Sequence, residues 1–133
     1  MIRGSCMCGG VAYEAEGPIV AMARCHCEQC RKASGAEFAT NGSVRAATFR
    51  VTRGEALLGE FEWSPGRHRV FCRNCGSPLF KRDDQLPEQV RLRLGSVDTP
   101  IDERPRLHVF VSEKPDWSEI TDDLPQYPTR PGA

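Results

Sequence analysis

The chain has 133 residues, the length of one domain with a modest core. Its 18 basic and 18 acidic residues cancel, so bulk charge draws it neither to nucleic acid nor to an anionic membrane surface. The residues from Met1 to Ser5 run straight into a cysteine pair, with no apolar run of the kind that makes a signal peptide or spans a bilayer. The expectation is a single cytoplasmic domain over 1–133 with no membrane partner.

Ile2 to Cys6 reads as a strand and Val11 to Glu16 as a second, in which Val11, Tyr13 and Ala15 alternate with Ala12, Glu14 and Glu16. Between them stands Cys6-Met7-Cys8-Gly9-Gly10. Glycines after paired cysteines allow positive φ, so that amide N–H groups can point at sulfur. This is half of a metal knuckle.

Gly17-Pro18 breaks the second strand, and the apolar run Ile19 to Ala23 leads into Arg24-Cys25-His26-Cys27-Glu28-Gln29-Cys30-Arg31-Lys32. Three thiols within six residues have little use in a core and are readily explained by a metal ion. From Cys27 the residues favour a helix of about two turns that stops at Gly35, with Cys27 and Cys30 on one face near its N-terminus. There the helix dipole favours thiolates.

Phe38, Val44 to Ala46, Phe49 to Thr52, Leu57 to Trp63 and His68 to Cys72 then form apolar or alternating patches. Asn41-Gly42, Arg53-Gly54 and Ser64-Pro65-Gly66 cut them at the intervals of antiparallel meanders. Cys72-Arg73-Asn74-Cys75-Gly76 closes the last of these strands as a second knuckle, followed by Leu79 to Lys81. Val90 to Leu94 alternates with Arg91 and Arg93, and Leu107 to Val111 supplies a last strand. Residues 115–133 read as an irregular tail held down by Trp117, Ile120, Leu124 and Tyr127 and frayed after Pro128.

An odd number of cysteines, seven, in CxC and CxxC spacings fits reduced, metal-bound thiols better than disulfides. A structural zinc is tetrahedral and closed by protein, whereas a catalytic zinc has three protein ligands and one open position. The two glycine-flanked pairs, Cys6/Cys8 and Cys72/Cys75, share knuckle chemistry and are assigned to one closed zinc site. Cys25, Cys27 and Cys30 remain, either as an open catalytic site or as a structural site closed by His26, His68, His108 or a carboxylate. His26 is expected to be exposed, and His68 and His108 to be ordinary half-buried strand histidines. Arg31 and Lys32 by default form a solvated helix face; with Arg24 they could instead lower thiol pKa values or hold a ligand carboxylate. Filled, the two sites carry net charges of about −2 and −1, which would leave the protein mildly acidic.

Gly4 to Gly9, Cys25 to Lys32 and Phe71 to Pro78 resemble the three signatures of the glutathione-dependent formaldehyde-activating (Gfa-like) family. The resemblance continues through Gly95-Ser96-Val97-Asp98, His108-Val109-Phe110 and the tail residues Trp117, Ile120, Asp122 and Leu124-Pro125. It implies a mostly β fold of several coiled antiparallel sheets, the β-tent, with one short helix after the central cysteines. It also implies a structural zinc on Cys6, Cys8, Cys72 and Cys75 and a catalytic zinc on Cys25, Cys27 and Cys30, two zinc ions per chain. The implied activity is that of a carbon–sulfur lyase on a thiol–aldehyde adduct such as S-hydroxymethylglutathione, with a small-molecule thiol, glutathione by family, as partner. Glu28 and Asp98 are acid–base candidates by type, but a surface carboxylate and a hydrogen-bonding strand end are the expectations for them. The rival readings are a non-catalytic zinc module of the same fold that binds a protein and, more weakly, a thiol redox sensor. The sequence carries no signal of oligomeric state.

Overall fold

A computed structural model describes residues 1–132. The chain is mostly β. A three-stranded antiparallel sheet has the order β1 (Ile2–Ser5), β2 (Ala12–Ala15), β5 (Arg50–Arg53). A seven-stranded sheet runs β10 (Leu107–Val109), β3 (Val20–Cys25), β4 (Ala39–Arg45), β9 (Gln89–Arg93), β8 (Pro78–Asp83), β7 (Arg67–Cys72), β6 (Leu58–Ser64). All its pairs are antiparallel except β10 with β3, which are parallel. The one α-helix among the described residues, α1 (Glu28–Ser34), starts within the central cysteine cluster, with Cys30 in its first turn, and ends where expected. Cys27 is its N-cap, and Gly35 ends it in the left-handed conformation at φ 62°, which only glycine adopts without strain.

The strands form where apolar residues recur with period two, and that period assigns the faces. Tyr13 and Ala15 of β2, Val44 of β4, Val70 of β7, Phe80 of β8 and Val90 and Leu92 of β9 are buried in one core together with Ile2, Val11 and Met22. The small sheet therefore packs on the large one. The rings of Tyr13, Phe49 and Phe80 meet within it, with the Phe49 and Phe80 centroids 4.7 Å apart in an edge-on arrangement. Burial drives the Tyr13 hydroxyl up to about 12, and that hydroxyl meets Ser96 Oγ at 2.7 Å.

The opposite face of the large sheet is polar because the neighbours of those core residues point there. Register sets Arg69 of β7 beside Lys81 of β8, and Lys81 beside Arg91 of β9. Like charges directly opposite each other destabilise a sheet, so this row demands anions nearby.

The tail differs from expectation. Trp117 is 68% exposed and anchors nothing; its neighbour Ser118 is buried, donating to Glu37 at 2.7 Å. Backbone bonds hold the segment beyond Pro128 as well: Phe110 N–H donates to the Thr129 carbonyl and Ser112 N–H to that of Pro128. The tail is tied to the edge at β10 by hydrogen bonds, which a count of its apolar side chains could not reveal.

Candidate metal centres and the cavity beside them

Cys6 and Cys8 leave β1, and Cys72 and Cys75 leave β7. Their four sulfurs lie within 4.8 Å of one another, so the cluster joins the two sheets at one corner of the core. Gly9 and Gly76, each directly after a cysteine, take φ of 76° and 79°. The turns they permit aim N–H groups at sulfur: Val11 N–H donates to Cys6 Sγ at 3.2 Å. Hydrogen bonds from the Ser77 side chain and backbone bring the Cys75 thiol down to about 5, and Asn74 lowers that of Cys8. Such a set favours thiolate, the form that binds metal.

Cys25 ends β3, Cys27 caps α1 and Cys30 lies on the helix face turned to the sheet. Their sulfurs also fall within 4.8 Å of one another. Among the described residues no histidine or carboxylate joins them. Cys30 is fully buried, and its N–H donates to Cys27 Sγ. Hydrogen bonds from Cys25 and Cys27 hold the Cys30 thiol well below the usual range, helped by the charges of Lys81 and Arg93. Donating those bonds, with burial, pushes Cys25 up.

The groups around Cys30 come from strands distant in sequence. Lys81 Nζ and an Arg93 guanidinium nitrogen each stand 3.9 Å from its sulfur, and Asn41 Nδ2 stands at 3.8 Å. Arg93 is buried and also donates to Ser34 Oγ at 2.6 Å, fastening α1 to β9. Burial lowers the Lys81 ammonium, whose partner on the other side is the Trp63 ring, 4.9 Å away. None of these residues is visible as a partner in sequence. The available signal was Arg91 and Arg93 alternating with core residues, which puts cations on a covered sheet face.

Two expectations about the flanking residues fail. His26 is buried, not exposed: its Nε2 meets His108 Nδ1 at 2.8 Å, and His108 Nε2 meets the Asp122 carboxylate at 2.9 Å. His108 is itself buried, deeper than a half-buried strand histidine. The ring of His26 is thereby turned from the sulfurs toward the tail. Arg24 likewise leaves the thiols, pairing with Asp122 at 2.8 Å and covering the Phe38 ring. Arg31 donates to the His26 carbonyl, whereas Lys32 and Glu28 form an exposed pair as a solvated helix face should. His68 lies away from both clusters between Glu60 and Asp84. Asp98 accepts from Ser5 at 2.5 Å, the strand-end role expected of it.

Cys25 opens on a cavity of about 470 Å³. Trp63, Leu86, Leu107, Val109 and Phe110 form its apolar wall, and Arg67, Lys81, Arg82, Arg91 and Arg130 supply positive charge. Among the described residues no helix is long and apolar enough to cross a membrane.

The family model described as "Glutathione-dependent formaldehyde-activating enzyme" matches residues 1–113. A Halomonas elongata protein named "Putative glutathione-dependent formaldehyde-activating enzyme" is 36% identical over 128 residues, which cover 90% of this chain and 81% of that one. An uncharacterized lyase of Schizosaccharomyces pombe is 29% identical over 78 residues, covering 59% and 55% of the two chains. A crystal structure of a Rhodobacter sphaeroides protein has the same fold, with a TM-score of 0.64 at 24% identity and coverage of 93% of this chain and 98% of that one. The chain belongs to the glutathione-dependent formaldehyde-activating enzyme family and is a lyase by that membership.

Proposed function

We infer that this chain is a zinc-dependent carbon–sulfur lyase, a single domain carrying two zinc ions, that acts on the adduct of a thiol with an aldehyde. The family's name points to S-hydroxymethylglutathione as the representative adduct. The observation that carries the reading is the convergence of Cys25, Cys27 and Cys30, the first of which lines a cavity large enough for a small thiol. With Cys6, Cys8, Cys72 and Cys75 as the closed set, the seven cysteines divide into a structural and a catalytic group.

The donor sets fit zinc. Soft thiolates in fours and threes are its preferred ligands, and reduced cysteines of this density belong in a reducing compartment such as the cytoplasm. When bound at the trio, the ion supplies Lewis acidity and lowers the pKa of an oxygen or sulfur ligand.

In the reaction R–S–CH₂–OH → R–SH + H₂C=O the C–S bond breaks and the hydroxyl proton ends on sulfur; the reverse direction makes the same bond. Lys81 and Arg93 steady negative charge on Cys30, which keeps that sulfur a thiolate. Trp63, Val109 and Phe110 line the apolar side of the cavity. Holding thiol and carbonyl together there supplies the advantage of proximity.

The experiment is exchange NMR on formaldehyde and glutathione with zinc-loaded protein. Acceleration of exchange between free species and adduct is expected, and it should disappear in Cys27→Ser. If neither this nor any other small thiol–aldehyde pair exchanges faster, the reading fails.

A further inference from the structure

The cavity beside Cys25 is lopsided in charge. Five cations line it, and among the described residues Asp83 is the only acid that does. Asp83 is already engaged, 3.7 Å from Arg67 and accepting from Gln85 N–H at 3.0 Å. Lys81 faces Cys30, so its charge is met by sulfur. Arg82 rests on the Phe80 ring and, among the described residues, has no carboxylate partner, and Arg91 and Arg130 are likewise unpaired. Arg91 donates only to neutral partners, Ser43 Oγ at 2.8 Å and the Ala21 carbonyl at 3.3 Å, and Arg130 lies over the Phe110 ring. Among the described residues neither makes an ion pair.

Guanidinium groups kept together without carboxylates cost stability unless an anion joins them, and their planar fork suits a carboxylate. A metal-filled trio would contribute a net charge of only about −1, which Lys81 and Arg93 at Cys30 already offset. The positive charge of Arg91 and Arg130 is then left for the incoming molecule. An ammonium group in the same cavity would find five like charges in the lining and a single, occupied acid.

We propose that this cavity selects acidic thiols without a free amine, with Arg91 and Arg130 receiving their carboxylates. The inference rests on the thiol-adduct reading above and deepens it. On this geometry the ammonium of glutathione is a liability, and a thiol bearing the same two carboxylates with the amine blocked fits better. The apolar wall of Trp63, Leu107 and Val109 takes the carbon skeleton between thiol and carboxylates.

The test separates binding from turnover. Zinc-loaded protein is titrated by calorimetry with S-methylglutathione and with N-acetyl-S-methylglutathione, thioethers that differ only at the amine and cannot react. The blocked compound should bind about tenfold tighter, a difference of about 1.4 kcal/mol, and higher salt should weaken its binding more. Arg91→Gln keeps a donor for Ser43 and should remove most of the preference; Arg130→Gln, at an exposed site, is the second variant should the first not fold. Equal affinities, a preference for the free amine, or no binding of either at millimolar concentration overturns the proposal. Exchange NMR on the corresponding thiols with formaldehyde is run in parallel. Selective binding without turnover sinks the lyase reading and leaves the cavity assignment standing, whereas turnover with no preference does the reverse.

Discussion

The two sulfur clusters contain nearly the same chemistry in opposite settings. The four-cysteine cluster draws its members from β1 and β7, more than 60 positions apart in sequence, and its hydrogen bonds come from the turns that carry it. The three-cysteine cluster comes from one six-residue segment, and its surroundings come from elsewhere: Asn41, Lys81 and Arg93 of three central strands. A site that supplies its own turn donors and fills four positions is suited to holding sheets together. A set of three sulfurs that borrows cations from a neighbouring sheet face is suited to receiving a ligand.

That contrast is best broken at the buried sulfur Cys72. Cys72→Ser should cost on the order of 5 kcal/mol or more, comparable to the whole stability of a small domain, because the binding free energy of a zinc held there would be folding free energy. Denaturant unfolding with zinc present measures it, and a folded Cys72→Ser with an unchanged midpoint would erase the distinction between the clusters. Cys27→Ser should leave the fold in place, lose one metal equivalent and reduce turnover by about 100-fold or more, since outer-shell changes alone cost about 10- to 100-fold. Metal analysis beside the exchange assay decides this. If instead it unfolds the chain as Cys72→Ser does, both sites are structural.

His108→Ala should destabilise by about 1–3 kcal/mol, the cost of leaving buried polar partners unmatched at His26 and Asp122. The chain His26–His108–Asp122 fixes the segment between Cys25 and Cys27, so metal release from the three-cysteine site should quicken in the variant while the other site keeps its ion. The same chain has an acid limit. The hydrogen bond from His108 holds the Asp122 carboxyl below its ordinary 3.8. A depressed acid contributes stability that is complete above that ordinary value and is lost as pH falls through the folded one. Stability should thus drop below about pH 4, and Asp122→Asn should remove that part of the drop. The smallest effect belongs to Trp117→Ala, within about 0.5 kcal/mol because the side chain is solvent-facing; a larger loss on unfolding would mean that the tail packs differently.

Much of this was legible in the chain. The period-two patterns of β2 and β9, the glycine-flanked knuckles and the helix between Cys27 and Gly35 are local signals, and each element stands where its residues call for it. The histidines misled because burial is not a local property. His26, set between two cysteines in a tight turn, looked like a surface residue until β10 brought His108 against it and the tail brought Asp122 against His108. Trp117 misled for the converse reason: size and apolarity favour burial, but a backbone fastened by hydrogen bonds left no core for it to enter.

Composition and spacing by themselves determined the mostly β character, the helix ends and the grouping of seven cysteines into four and three, because these follow from residue-to-residue geometry over a few positions. Only the tertiary structure decided what surrounds the three. The register of β7, β8 and β9 aligns Arg69, Lys81 and Arg91 on one face, and no local pattern carries register between strands. Lys81 and Arg91 of that row line the cavity, so its charge is a sum over neighbours distant in sequence.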